Sequence, residues 1–138
     1  KIYPANKIAE LTNFFDANFI VTWGTNYERI LAEEIKDISP KVTISNKLSI
    51  DSLMALIDQA DLVIGPDTGP THLAWASNTS SITLFGQTPG YRNTIVTEIN
   101  RIIESDSKVN PNKINKNDYS IKNIKVENIA FLAKKLIR

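Results

Sequence analysis

Residues 62–76 read Leu62-Val63-Ile64-Gly65-Pro66-Asp67-Thr68-Gly69-Pro70-Thr71-His72-Leu73-Ala74-Trp75-Ala76. Leu62 to Ile64 form a short, continuous apolar run with β-branched residues, the pattern of a strand covered on both faces. Gly65 and Pro66 punctuate it, and Thr71 to Ala76 reads as a helix. Pro70 suits an early helical position, where a missing N–H is no loss. A buried strand that turns directly into a helix is one half of the alternation that builds a parallel sheet.

The same alternation extends in both directions. Apolar runs occur at Phe19-Ile20-Val21-Thr22-Trp23, Val42-Thr43-Ile44 and Ser81-Ile82-Thr83-Leu84-Phe85. Between them Ile8, Leu11, Phe14 and Phe15 fall at helical spacing, as do Ile30, Leu31, Ile35 and Ile38. Leu53, Leu56, Ile57 and Ala60 form a third helical pattern, opened by Ser49 as a cap. Val126, Ile129, Ala130, Ala133, Leu136 and Ile137 make one stripe of a closing amphipathic helix. Strands separated by helices predict an α/β fold, a parallel sheet with helices on both faces. Phe19 to Trp23, Leu62 to Ile64 and Ile82 to Phe85 are its expected internal strands. With no internal repeat and no second core in the pattern, residues 1–138 are expected to form a single domain.

Composition narrows the function classes. A hydrophobic fraction of 42% and a charged fraction of 22% are ordinary for a globular domain. No run of about 18 apolar residues predicts a membrane span. The chain lacks cysteine, which excludes disulfides and thiolate metal sites and fits a reducing cytoplasm. A net charge of +1 argues against nucleic acid as a partner. The Lys- and Asn-rich stretch from Lys108 to Lys125 has no aromatic platform and reads as a solvated connection. The opening Lys1-Ile2-Tyr3-Pro4 has neither an initiator Met nor a signal pattern, so a start inside a longer chain is expected.

In open parallel sheets, ligands gather at the carboxyl ends of strands. Three such ends carry polar residues that a core does not need: Trp23 to Glu28, Gly65 to His72, and the weaker Gly86-Gln87-Thr88-Pro89-Gly90. At the second, free backbone N–H groups and the positive end of a helix dipole converge near Thr68 to Thr71. Such a helix start takes phosphate well, and Gly69 would let a phosphate approach the backbone. Thr68 and Thr71 offer hydroxyls, and His72, the only histidine, lies in the first turn. A second reading stays open: Asp67 and Thr68 cap the helix, Gly69 serves the turn, and His72 is a hydrogen-bonded first-turn residue. Neither a Walker A loop nor a G-x-G-x-x-G fingerprint is present. One Asp and one His are too few for a metal, and no Ser-His-Asp cluster suggests acyl transfer. No cofactor is expected.

The stretch from Gly65 to Ala76 resembles the D-T-G-x-(S/T)-H-(L/I)-x-x-A signature of lipopolysaccharide heptosyltransferases. Lys1-Ile2-Tyr3-Pro4 is similar to their K-x-(W/Y)-P element, and Trp23-Gly24 with Glu28 to their G-x-x-x-E segment. Gly86-Gln87-Thr88-Pro89 resembles their G-x-T-x-P loop, although here Pro89 follows Thr88 immediately. The heptosyltransferase I branch is the most similar, through Trp23-Gly24 and Glu28. The resemblance implies the C-terminal, Rossmann-like donor half of a GT-B glycosyltransferase. It implies transfer of L-glycero-D-manno-heptose from ADP-heptose to the lipopolysaccharide inner core, in the Kdo–lipid A region, without a metal.

The resemblance also implies roles. Lys1 would neutralise the donor pyrophosphate, and Thr68 and Gly69 would bind phosphate through N–H groups and the Thr68 hydroxyl. Asp67 would hydrogen-bond the heptose, with His72 on the diphosphate side. Glu28 would accept from the ribose hydroxyls, and Leu48 would lie beside the adenine. Each has a plainer counterpart: a loose terminus for Lys1, dipole stabilisation for Glu28, and ordinary packing for Leu48. The N-terminal acceptor domain and its base carboxylate are absent from these residues, so the chain alone is expected to bind donor without turnover. The acceptor would be held by that missing domain, and the enzyme would work in the cytoplasm, peripheral at the inner membrane. The rivals are a non-catalytic nucleotide-binding module and a GT-B-like sugar-nucleotide epimerase, which an apolar face built for a partner domain would discriminate.

Overall fold

The structure, a computed structural model, describes residues 3–86, 96–105 and 120–137. The chain divides into two compact units, Pro4–Leu53 and Lys1–Tyr3 with Met54–Arg138.

In the first unit, helix α1 (Ala5–Thr12) is followed by strand β1 (Phe19–Val21), helix α2 (Asn26–Ile38) and strand β2 (Val42–Ile44). The two strands run parallel, with Phe19 opposite Val42 and Val21 opposite Ile44. Ala9, Ile35 and Val42 are buried together, with Ala5, Ile8, Phe19 and Val21 packed around them. This is the helical and strand periodicity of the sequence converging on one core. Helix α1 ends at Thr12, so Phe14 and Phe15 lie beyond it rather than on its apolar stripe. Lys41 explains the stop: its ammonium donates to the carbonyls of Thr12 at 3.1 Å and Phe15 at 2.6 Å. A cation is favoured at a helix carboxyl end, where carbonyls lack intrahelical partners.

Helix α3 (Ile50–Gln59) carries the chain from one unit into the next, and Ser49 caps it as expected, accepting from the Ser52 N–H at 3.2 Å. The second unit then runs through strand β3 (Val63–Pro66), helix α4 (Gly69–Ala76), strand β4 (Ser81–Phe85) and strand β5 (Asn100–Glu104). A 3-10 turn (Ser120–Asn123) leads to helix α5 (Val126–Leu136). The order is β3-β4-β5, all parallel. Every residue of β4 is buried, as befits the strand with a neighbour on each side. Helix α4 lies against β3, and the side chain of Thr71 comes within 3.5 Å of where a Gly65 β-carbon would sit. Its end is closed by Asn78 in the left-handed region at φ 58°, with Thr79 N–H donating to Ala74 C=O at 2.9 Å. Helix α5 buries Val126, Ile129, Ala130 and Ala133, four of the six stripe residues, while Leu136 and Ile137 are half-buried.

The α/β class, the parallel pairing and the flanking helices therefore follow the sequence. Three details differ. The hydrogen-bonded ladders form a two-stranded and a three-stranded sheet, and among the described residues only β4 has partners on both sides. β1 stops at Val21 instead of Trp23. Strand β5 has no apolar run to announce it: Ile102 and Ile103 stand between Arg101 and Glu104. It is fixed instead by the Asn100 amide, which donates to Thr79 C=O at 2.8 Å and to Ser81 Oγ at 2.9 Å.

Candidate functional site

Strand β3 ends at Pro66, and Thr68 takes an extended conformation (φ −141°, ψ 178°) as the residue before α4. The turn between them is held by Thr71. Its Oγ1 lies 2.9 Å from both the Pro66 and Thr68 carbonyl oxygens, and it accepts from the Thr68 N–H at 3.3 Å. Thr71 is fully buried. Its hydroxyl is consumed by the turn, so it organises the helix start and does not offer an outward donor. The Thr68 hydroxyl is exposed, 3.4 Å from the Pro66 carbonyl.

The first bond along the helix runs from His72 N–H to Thr68 C=O at 3.2 Å. The Gly69 amide precedes it, Pro70 has none to leave unpaired, and Thr68 and Thr71 face one another as a capping box, the Thr68 side chain toward the Thr71 N–H, so the plainer capping reading is present as well. A β-carbon on Gly69 would meet nothing within 4 Å, and no glycine among the described residues has positive φ. Neither packing nor backbone conformation requires glycine there. Open space beside an exposed amide at a helix start is the arrangement an anion needs.

Asp67 and His72 meet across this turn. Asp67 Oδ1 and His72 Nε2 are 2.5 Å apart, with side chains 20% and 49% exposed. Among the described residues Asp67 Oδ2 takes no hydrogen bond, which leaves it for a hydroxyl donor. The other face of the imidazole is engaged: His72 stacks on Trp75, with ring centroids 4.5 Å apart and planes at 25°. Nothing in the linear pattern marks Trp75 beyond its place on the helix. Its spacing of three residues from His72 was the available signal, because such positions are neighbours on a helix surface.

In the other unit, a second polar group forms at the carboxyl ends of β1 and β2. Thr25 and Glu28 make a reciprocal capping box at the start of α2. Glu28 Oε1 accepts from the N–H groups of Gly24 at 3.0 Å and Thr25 at 2.9 Å, and Thr25 Oγ1 accepts from the Glu28 N–H at 3.2 Å. The plainer counterpart of Glu28 is thus present in full, and Oε2 is the oxygen left over. Trp23 Nε1–H donates to Ser45 C=O at 2.8 Å, and the Arg29 guanidinium lies 5.8 Å from the indole centroid. Leu48 is half-buried.

Lys1 lies outside the described residues, as do Gln87 to Gly90 and residues 108–119 of the Lys- and Asn-rich stretch. Gly86 has a packing reason of its own: a β-carbon there would come 2.7 Å from Ile121 N and Cβ. Among the described residues no three His, Cys, Asp or Glu side chains gather as metal ligands.

A family model described as glycosyltransferase family 9 (heptosyltransferase) matches residues 1–122. The chain is 38% identical over 146 aligned positions to lipopolysaccharide heptosyltransferase 1 of Campylobacter coli. The match covers 99% of the chain and 43% of that protein, so the chain spans less than half the length of this curated relative. Two solved structures share the fold. A family 9 glycosyltransferase from Veillonella parvula superposes with a TM-score of 0.81 at 17% identity, over 98% of this chain and 41% of its own. The E. coli heptosyltransferase WaaC with ADP-2-deoxy-2-fluoro heptose gives 0.75 at 18% identity, over 96% and 38%.

Proposed function

The chain belongs to glycosyltransferase family 9, the heptosyltransferases, and from that premise we propose that residues 1–138 act as one donor-binding domain for ADP-heptose. The enzyme it serves would transfer L-glycero-D-manno-heptose to the lipopolysaccharide inner core, with the acceptor and its base held by the remainder of a longer protein. The observation that carries this reading is Gly69, an exposed glycine that packing does not require, at the start of α4. A diphosphate there would accept from the Gly69 N–H and from the Thr68 hydroxyl, both at exposed positions.

In this reading a second charge problem has a ready answer. A carboxylate beside a diphosphate is repelled unless it has other partners. Asp67 has one in His72 and keeps Oδ2 for a heptose hydroxyl. The departing diphosphate would be stabilised electrostatically by the helix start and by Lys1. Glu28 Oε2 and Leu48 would serve the ribose and the adenine. The relative crystallised with an ADP-heptose analogue supports the choice of nucleotide and sugar. Among the described residues no helix is long and apolar enough to cross a membrane. The reading also has the enzyme in the cytoplasm, peripheral at the inner membrane, because that is where its acceptor would be anchored.

Calorimetric titration of the chain with ADP, ADP-heptose and a UDP-sugar tests this. ADP and ADP-heptose should bind, with amide shifts in NMR spectra centred on Gly69 and Thr71. A clear preference for the UDP-sugar overturns the assignment.

A further inference from the structure

Trp75 presents a contradiction that packing alone does not resolve. Its indole Nε1 is buried and has no hydrogen-bond partner among the described residues. A buried, unpaired N–H is a penalty that an all-carbon aromatic ring would avoid. The indole also offers something a phenyl ring offers less of, a large electron-rich face. That face is used, since the His72 imidazole lies on it at 4.5 Å and 25°.

The consequence for His72 is geometric. Its side chain is 49% exposed, and an exposed imidazole ordinarily samples several rotamers. Stacking on a half-buried indole fixes the plane of the ring. Within that plane one choice remains, a half-turn that changes which ring edge faces Asp67. The 2.5 Å contact from Nε2 to Asp67 Oδ1 decides it. His72 and Trp75 are three residues apart on one helix, and Asp67 stands just before that helix, so all three move with the α4 start.

We propose that Trp75 is a positioning residue acting through His72, whose imidazole it holds flat so that Asp67 is presented with Oδ1 engaged and Oδ2 aimed at a sugar hydroxyl of the donor. The sugar part rests on the donor-site reading above. Trp75 itself touches no reacting atom. Its effect falls on discrimination between a nucleotide that carries the sugar and one that does not, because Asp67 meets only the sugar.

The 138-residue chain is suited to the test because His72 is its only histidine, so the imidazole resonances identify themselves. Heteronuclear NMR of the parent should show His72 ring protons displaced upfield by the indole ring current, with the Nε2 proton present. Trp75→Phe should reduce that displacement and Trp75→Leu should abolish it. Calorimetry should show the preference for ADP-heptose over ADP falling about threefold to fivefold in Trp75→Leu and less in Trp75→Phe, with affinity for ADP alone unchanged. Asp67→Asn should lower the same preference with the stack intact. His72 resonances indifferent to Trp75→Leu overturn the inference, as does a lost stack that leaves the preference untouched. A parent chain that binds neither nucleotide overturns the donor-site reading instead, and the ring-current result still decides whether Trp75 holds His72.

Discussion

A methyl group added at Gly69 would project into open space, next to the amide proposed to receive phosphate. The position therefore separates folding from binding. Gly69→Ala should leave the melting temperature unchanged or raise stability by about 0.4–1 kcal/mol, through the less flexible unfolded chain. It should weaken ADP binding by about tenfold, or roughly 1.4 kcal/mol. Unchanged ADP affinity in calorimetry would remove Gly69 from the site. Thr71 shows the opposite lesson. From the sequence its hydroxyl was interchangeable with that of Thr68, both being donors at one helix start. Burial separates them: Thr71 faces the carbonyls of Pro66 and Thr68, whereas the Thr68 hydroxyl stays at the surface.

Elements are set by their ends as much as by their faces. Helix α2 starts where Thr25 and Glu28 satisfy one another's backbone N–H groups, a pattern of residue types three apart. Thr25→Ala should cost about 0.5–2 kcal/mol in denaturant unfolding. It should also release the Thr25 amide to faster hydrogen exchange, as Glu28 loses the geometry that holds it. No loss of stability would mean that α2 is held by its packing against α1 and β2 alone. Strand β5 marks the limit of reading by pattern. Its two isoleucines are flanked by charge, and what fixes it is the Asn100 amide reaching Thr79 and Ser81, residues some twenty positions earlier in sequence. Side-chain bonds across that separation leave no local periodicity to detect.

At the scale of the whole molecule, each unit concentrates its order in a parallel ladder. In the second unit β4 is buried along its entire length, while in the first unit Ile20 at the middle of β1 is 51% exposed. Amide exchange should therefore be slowest from Ile82 to Phe85 and measurably faster from Phe19 to Val21. Equal protection in the two strands would show that the units open together. Residue spacing alone sufficed for the α/β class, the order of the first four strands and their helices, the Ser49 cap, the stripe of α5 and the polar turn from Asp67 to His72. All of these rest on contacts between residues a few positions apart, which spacing records. Packing was needed to turn the Thr71 hydroxyl inward, to add β5 beside β4, and to set Asp67 against His72 with Trp75 covering it. Each of those depends on which way a side chain points once its element is packed, and direction is fixed by neighbours that the linear order does not name.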